Sequence, residues 1–468
     1  MRRLARRSFL KRTTLAIGAA TSLAPHARAL GANDDLRVAT VGFRGQGGFH
    51  IRLLRELPGV RVVALCDADR AILERAVREA RELGQPVEGY VDVRKLLENN
   101  DIDALTTATP NHWHVLVTVW GCQAGKDVYV EKPLSQNIFE GRKAIEAAEK
   151  YDRIVQWGNA SRGHRTGPMH LERENLGKIR IVWSTLKGPR ESIGKVDGPQ
   201  EVPESVDYDL WTGPAPLEPL MRQNLHYDWH WVWSTGSGEI GNIGVYQLDA
   251  ARLRLGQNVL PKRVMSLGGR FLFDDDGQTP NSQIALFQFD PGPLLIFELR
   301  NLPSEEGPRT ISSRVRYEEG DAGLPAPTEP EGDPGGFPSH KGHLFNFISA
   351  VRSRRASDLR APLIEGHLSS AMVHMANISY RLGKPGNVDA AREAIQDQGS
   401  EAMEVFEGFR EHLAVNGVDF AKSEIVVGPW LEMDPQTEQF VGGSPLVASA
   451  NELARGHYRE PFVVPEQV

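Results

Sequence analysis

The sequence predicts an α/β chain: a doubly wound parallel sheet first, then an α+β region with a mainly antiparallel open sheet. Three observations predict this. Strand-like and helix-like runs alternate from Leu36 to Trp157. Glycines cluster at the first strand-to-helix turn, Gly42 to Gly48. After Gly158 the strand-length runs are joined mostly by loops rather than helices.

Leu36–Val41 (LRVATV) reads as a buried, β-branched strand. It runs through Gly42-Phe43-Arg44-Gly45-Gln46-Gly47-Gly48 into a helical pattern from Phe49 to Glu56. Strand, glycine turn and helix form the first unit of a dinucleotide-binding (Rossmann) fold. Gly42 permits the turn, and Gly45 and Gly47 permit close backbone approach. Gln46 opens the helix, whose first N–H groups can face a pyrophosphate. Arg44 stands where a second glycine is expected, so either the turn is displaced by a residue or Arg44 lies along the cofactor. Val60–Leu65 is the next strand. Asp67 follows it, about 20 residues past the glycines, where an acid receives ribose hydroxyls. A carboxylate there repels a 2′-phosphate, which favours NAD, with NADP as the alternative. Asp69 is the better cap for a helix over Ala71–Leu83. A short helix over Val91–Asn99, strands at Asp103–Thr107 and Gly125–Val130, a helix over Ile138–Tyr151 and a strand at Arg153–Trp157 complete this half.

The densest chemistry lies between two of these strands, in Ala108–Pro133, ATPNHWHVLVTVWGCQAGKDVYVEKP. An amphipathic helix fits from near Asn111 to Gly125. Each flanking strand delivers polar residues past its C-terminal end, the edge where open parallel sheets bind ligands. Lys132, beside a proline, is a candidate acid/base there. His112-Trp113-His114 could suggest zinc, but no Cys or acid cluster completes a site, and no metal is expected. The ATPNHWH and GKDVYVEKP segments resemble the Gfo/Idh/MocA family of NAD(P)-dependent sugar and polyol oxidoreductases. The resemblance implies that Thr109, Pro110, Asn111 and His112, with Glu131, Lys132 and Pro133, line the nicotinamide end of the cofactor. Trp157 and Asn159, at the end of the last strand, are added to the cofactor-binding set, and His114 is expected to pack behind it.

In the second half, strand-like runs fall at Lys178–Leu186, Val264–Phe273, Gln283–Phe289, Leu294–Leu299 and Arg309–Arg316. The resemblance implies a C-terminal domain whose open sheet face forms the substrate site and often an oligomer contact. An aromatic-rich insertion, Pro203–Gly241, holds four of the nine tryptophans between positions 211 and 233. Aromatic faces beside polar groups suit pyranose stacking, and a long unpatterned segment is more often functional than not. His230 and Trp231 are candidate substrate contacts there; His226 and His230 lack the partners of a metal site.

Gly238–Asp249 resembles the family's glycine-rich run before a helix. The usual pattern there, G-x-H-x-x-D, has a histidine proton relay. Asp249 keeps the acid, but Tyr246 replaces the histidine, and tyrosine titrates near 10 rather than near neutrality. Three readings stay open. Tyr246 is itself the acid/base, its phenol lowered by the lysine and the oxidised nicotinamide; or Lys132 alone handles the proton while Tyr246 bonds a substrate hydroxyl; or turnover has been lost. Lys132, Tyr246 and Asp249 are the candidate catalytic set, and Asn242 joins the substrate set.

Arg6-Arg7 followed by Ser8-Phe9-Leu10-Lys11, a weakly apolar stretch to Leu23 and Ala27-Arg28-Ala29 fit a twin-arginine export signal with a cleavage site. That route carries folded proteins, which suits a chain that loads a nucleotide first, and the periplasm is the expected destination. Removing residues 1–29 moves the formal charge from −7 to −14. So acidic a chain is a poor nonspecific nucleic-acid binder, and no later run is apolar and long enough to span a membrane. Cys66 and Cys122 read as two free buried thiols. Gly320–Gly342, rich in Gly, Pro and acids, reads as a loop at the cleft or an interface, with His340 and His343 as weak substrate-site candidates. Helices are expected over His343–Ser353 and Glu365–Leu382, with His367 and His374 as packing residues.

The expected organisation is a signal at 1–29, a nucleotide-binding domain at 36–157, a substrate and oligomerisation domain at 158–420, and a C-terminal extension at 421–468 that wraps the body or a neighbouring subunit. The expected function is an exported NAD(P)-dependent oxidoreductase acting on CH–OH groups of a sugar, polyol or glycoside as a homo-oligomer. The alternatives are a redox-assisted glycosidase with catalytic NAD and a non-catalytic sugar-binding protein.

Overall fold

The computed structural model describes residues 35–162, 177–303, 310–323 and 339–468. The export signal and most of the proline-rich loop (324–338) lie outside the described residues.

The first half alternates strand and helix: β1 (Leu36–Val41), α1 (Gln46–Arg55), β2 (Val60–Cys66), α2 (Arg70–Glu82), β3 (Glu88–Tyr90), α3 (Val93–Leu97), β4 (Ala104–Thr107), α4 (His114–Gln123), β5 (Asp127–Glu131), α5 (Ile138–Lys150) and β6 (Val155–Gly158). All six strands are parallel, in the order β3-β2-β1-β4-β5-β6. The order reverses between β1 and β4, so the connections leaving those strands diverge and open a crevice at their C-terminal ends. Asp69 caps α2, accepting from the Ala71 N–H at 2.9 Å. β3, too short for a periodic signal, is the strand the sequence reading passes over.

One expectation changes here. α4 is buried nearly all round, with Val115, Leu116, Val117, Val119 and Cys122 fully enclosed, rather than amphipathic. Its outer face is covered by the C-terminal tail, where Phe462 meets Trp113 and Trp120 at ring centroid distances of 5.5 and 6.5 Å.

The second half holds β7 (Ile179–Lys187), α6 (Tyr208–Thr212), α7 (Val245–Arg254), β8 (Arg263–Gly269), β9 (Ser282–Gln288), β10 (Leu294–Arg300), β11 (Thr310–Tyr317), β12 (Gly320–Gly323), α8 (Ser339–Ser353), α9 (Leu363–Arg381), β13 (Lys384–Gly386), α10 (Val388–Ile395), α11 (Ser400–Val415), β14 (Ile425–Val427), β15 (Leu431–Asp434), β16 (Gln439–Val441) and α12 (Val447–Arg455). Its strands form one mixed sheet, antiparallel except where β10 runs parallel to β7. β10 is buried on both faces. Leu295, Phe297 and Leu299 join the core of α7 and α9, while Ile296 belongs to the cluster that holds Phe406 and Phe409 of α11. The helices α10 and α11, which cover that second face, were not anticipated. The tail after Ala421 wraps the body: β14 and β15 pair with β8, and α12 packs on α5 and α9.

Both cysteines are free and buried. Burial raises the Cys66 thiol well above its usual value and the Cys122 thiol to about 12. His367 meets Glu438 at 2.8 Å and His374 meets the Ser135 carbonyl at 2.9 Å, as packing residues would. Among the described residues no helix is long and apolar enough to cross a membrane.

Candidate active site

A cleft of about 470 Å³ runs across the β1/β4 crevice, from Asp67 at one end to Lys132 and Tyr246 at the other. Its nucleotide end is built from backbone. Gly42 has φ +70° and lies against Thr109, where a Cβ would come within 2.9 Å of backbone atoms. A Cβ on Gly47 would stand 2.1 Å from the Gly42 carbonyl oxygen, so this residue lets α1 close onto the turn. Gly45 precedes α1, and a Cβ there would meet nothing within 4 Å. Gln46 opens the helix, and the exposed Arg44 lines the cleft. At the end of β2, Asp67 accepts from the Phe43 N–H at 3.2 Å and the Asp69 N–H at 3.0 Å. Two of a carboxylate's roughly four acceptor positions are thereby used. Burial raises the Asp67 carboxyl above its usual value despite those bonds.

At the reactive end, Thr109, Pro110 and Asn111 follow β4 and line the cleft. Asn111 Nδ2 donates to Ser237 Oγ at 3.1 Å. His112 does not line this cleft, which corrects the expected cofactor contact. Its ring lies between the carbonyls of Trp211 (3.2 Å) and Thr235 (3.3 Å), seating the insertion, and burial lowers it to about 4. His114 borders the cleft rather than packing behind it, and both its ring nitrogens are taken up by the carbonyls of Pro133 and Thr109 at 2.6 and 2.9 Å. Glu131 is buried, and its carboxylate meets His50 Nε2 at 2.9 Å, Gln46 Nε2 at 3.3 Å and the Lys132 N–H at 3.1 Å. Burial opposes its charge, but His50 and Lys132 outweigh burial and hold it at about 2.

Lys132 Nζ donates to the Asn242 carbonyl at 2.6 Å and to Asn242 Oδ1 at 3.0 Å. The Asn242 carbonyl is available because Ile240–Gly244 is a π-helical turn leading into α7, which displaces carbonyls from the ordinary ladder. Asn242 Nδ2 in turn donates to Glu239. Tyr246, one turn on, puts its ring 5.4 Å from Lys132 Nζ. Burial, then the Glu131 charge, raises its phenol well above 10, opposite to the lowering that a tyrosine base requires.

Besides His112, three predicted site residues lie behind the cleft rather than in it. Asp249 is fully enclosed. It accepts from Arg162 (2.7 and 2.9 Å), Asn159 (2.8 Å), Ser369 (2.9 Å) and Arg252 (3.4 Å). It therefore anchors α7, and through it Tyr246, instead of touching substrate. Asn159 serves that carboxylate. Trp157 is buried in β6 with the Arg162 guanidinium 5.9 Å from its ring.

The far wall comes from the insertion. Trp211, Tyr227, Trp229 and His230 line the cleft, whereas Trp231 is buried and does not. His230 stacks on Trp229 at 3.6 Å and 20°. His226 meets Asp69 at 3.1 Å and closes the wall over the nucleotide end. His340 also lines the cleft. Sequence reasoning missed His50 and Glu239. The spacing of Gln46 and His50, four apart on the helix after the glycine turn, was the available signal for His50; nothing local marks Glu239. Among the described residues no group of three or more His, Cys, Asp or Glu is placed to hold a metal.

The residues present fit a nicotinamide dinucleotide. Gly45 faces open space beside the turn, the N-terminus of α1 carries no side-chain cap, and Asp67 stands at the end of β2. Comparisons agree. Residues 36–159 match the model of the oxidoreductase family's NAD-binding Rossmann fold, and residues 191–271 match that of its C-terminal alpha/beta domain. Relatives include a glycosyl hydrolase family 109 protein of Shewanella baltica, 30% identical over 122 residues, 25% of this chain and 27% of that one. Another, from Saccharopolyspora erythraea, is 30% identical over 136 residues, 28% of this chain and 30% of that one. The match thus spans under a third of these relatives' length. The fold is that of the WlbA dehydrogenase from Bordetella pertussis, solved with NADH and UDP-GlcNAcA (TM-score 0.54, 17% identity, 74% of this chain and 96% of that one). It is also that of a levoglucosan dehydrogenase solved with NADH (TM-score 0.54, 16% identity, 74% of this chain and 97% of that one). With both domain models matched in order and the cleft built at the switch point of a 3-2-1-4-5-6 sheet, the chain belongs to the Gfo/Idh/MocA family of NAD-binding oxidoreductases.

Proposed function

We propose that this protein is an exported NAD(P)-dependent oxidoreductase acting on a CH–OH group of a sugar, polyol or glycoside. The observation that carries the reading is Lys132. Its ammonium is fixed by Asn242 in the same cleft whose other end is the glycine turn and Asp67. A site meant only to hold sugar has no need of a positioned lysine beside a nucleotide cradle.

When bound, the nicotinamide accepts or donates hydride. The chain's own residues do the rest. Asp67 and the turn amides hold the nucleotide. Lys132 orients the reacting oxygen and stabilises negative charge on it. Tyr246, kept as a phenol, donates a hydrogen bond, and Trp211, Trp229 and Tyr227 exclude water on the far side. Free nucleotide is scarce outside the cytoplasm, so the cofactor is held tightly and recycled within one site. Recycling within a single glycoside is the second reading, an NAD-dependent glycosidase, and the family 109 relatives favour it.

The first test is to purify the exported form from its native host, denature it and identify released nucleotide by mass spectrometry. Stoichiometric NAD(H) or NADP(H) supports the reading and chooses between them. The holoenzyme is then screened against saccharides and aryl glycosides, beginning with UDP-GlcNAcA and levoglucosan, named in the solved relatives. Empty protein with no thermal shift from either nucleotide overturns the proposal. Lys132→Ala separates enzyme from binder: turnover falls about 10²–10⁴-fold in an enzyme, whereas a binder keeps its ligand affinity. Replacing Arg6 and Arg7 by lysines and following processing and cell location tests export.

A further inference from the structure

Oxidising an alcohol removes hydride from carbon and a proton from oxygen, so the site needs a group with a lone pair to receive that proton. This inference rests on the oxidoreductase reading above. Most titratable groups of the cleft are committed elsewhere. Tyr246 stays a phenol. Lys132 Nζ already donates twice to Asn242. Glu131 is buried and already engages His50, Gln46 and a backbone N–H, and its carboxyl is held well below the usual range. Asp67 stands at the nucleotide end. His114 has both nitrogens against carbonyls, His226 meets Asp69, and His340 packs edge-on to Phe49 at 5.3 Å on the α1 side.

We infer that Nε2 of His230, on the insertion wall, receives the proton of the reacting hydroxyl. Its Nδ1 lies 2.6 Å from the Tyr227 carbonyl oxygen. A carbonyl has no proton to give, so Nδ1 carries the N–H and donates it, which leaves the lone pair of a neutral ring on Nε2. Nε2 has no protein partner among the described residues, and the ring lines the cleft. The stack on Trp229 and the Tyr227 bond hold the ring plane. Burial, then the charges of Lys132 and Arg190, keeps the ring neutral against the Tyr227 hydrogen bond, which by itself favours the charged form. The device has moved: α7 presents Tyr246, and the base comes from the insertion.

The step balances. The O–H bond breaks and its proton goes to Nε2. The O–H electron pair becomes the second C–O bond. The C–H pair leaves as hydride to the oxidant, a nicotinamide dinucleotide. Lys132 stabilises the oxygen while its proton departs.

The test uses the full-length holoenzyme and whichever saccharide the screen shows to be turned over. His230→Ala and His230→Gln are compared with wild type in kcat/KM, with and without added imidazole, and in NADH binding by fluorescence. Expected are a fall of about 10²–10⁴-fold for both variants, unchanged NADH binding, and recovery of at least about tenfold by imidazole in His230→Ala only. An independent readout is the ¹⁵N spectrum of histidine-labelled protein, assigned by difference with His230→Ala. It should show Nδ1 protonated and Nε2 bare at neutral pH. Wild-type turnover in either variant, a fall that imidazole does not repair while NADH still binds, or an Nε2-protonated ring overturns the inference and leaves the oxidoreductase reading standing. No turnover of any saccharide by wild type defeats the oxidoreductase reading, and this inference with it.

Discussion

At the scale of single residues, burial decides which groups titrate. Tyr246 shows it. The sequence allowed a lowered phenol because Lys132 is its neighbour, yet enclosure and the Glu131 charge act the other way. Tyr246→Phe should therefore cost one substrate hydrogen bond, about 1 kcal/mol or roughly fivefold in kcat/KM. A loss of 10²-fold or more in kcat would restore the tyrosine base. Glu140, in α5, is enclosed and its carboxyl is pushed up to about 8. A carboxyl raised on folding binds its proton more tightly folded than unfolded. Wild type therefore loses stability as pH rises from the ordinary carboxyl range toward 8. Glu140→Gln should melt above wild type at pH 9, with the gap closing by pH 4; equal melting temperatures at pH 9 would contradict this.

Elements turn such residues into a site. The glycine turn works because Gly47 lies under the Gly42 carbonyl. Gly47→Ala forces the turn open at about 1–3 kcal/mol, so NADH affinity by fluorescence titration should fall about 5- to 150-fold. Unchanged affinity would mean that the turn is not the cradle. α7 is held by the buried network of Asp249, Arg162, Arg252 and Glu365. Asp249→Asn leaves the arginines underpaired and should destabilise by about 3–5 kcal/mol in denaturant unfolding. A variant that unfolds like wild type but has lost kcat would return Asp249 to the catalytic set. The spacing of Tyr246 and Asp249 on one helix is legible in sequence. That one faces the cleft and the other the interior is not, because it depends on where Arg162 and α9 lie.

Over the whole molecule, the tail belongs to the body. β14, β15 and β16 join the large sheet, and Phe462 closes the outer face of α4 behind His112 and His114. Ending the chain at Phe420 should yield insoluble protein or one that no longer binds NADH. A soluble, NADH-binding truncation would show the tail to be dispensable. The insertion has a comparable reach: it spans the crevice of the first sheet, with His226 on Asp69 and the Trp211 carbonyl on His112.

Local pattern was enough for the parallel sheet, the glycine turn, the acid after β2 and the lysine after β5. Each depends on period, turn chemistry and chain order, which are properties of neighbouring residues. The sequence by itself thus determined the fold of the nucleotide half, the family and the place of the cleft. Only the tertiary structure decided that α4 is enclosed, that His112, Trp157, Asn159 and Asp249 stand behind the cleft, and that His50 backs Glu131 there. Those outcomes turn on contacts between residues far apart in the chain, 81 positions for His50 and Glu131 and 123 for His112 and Thr235. No local period encodes which face of an element such a partner will cover.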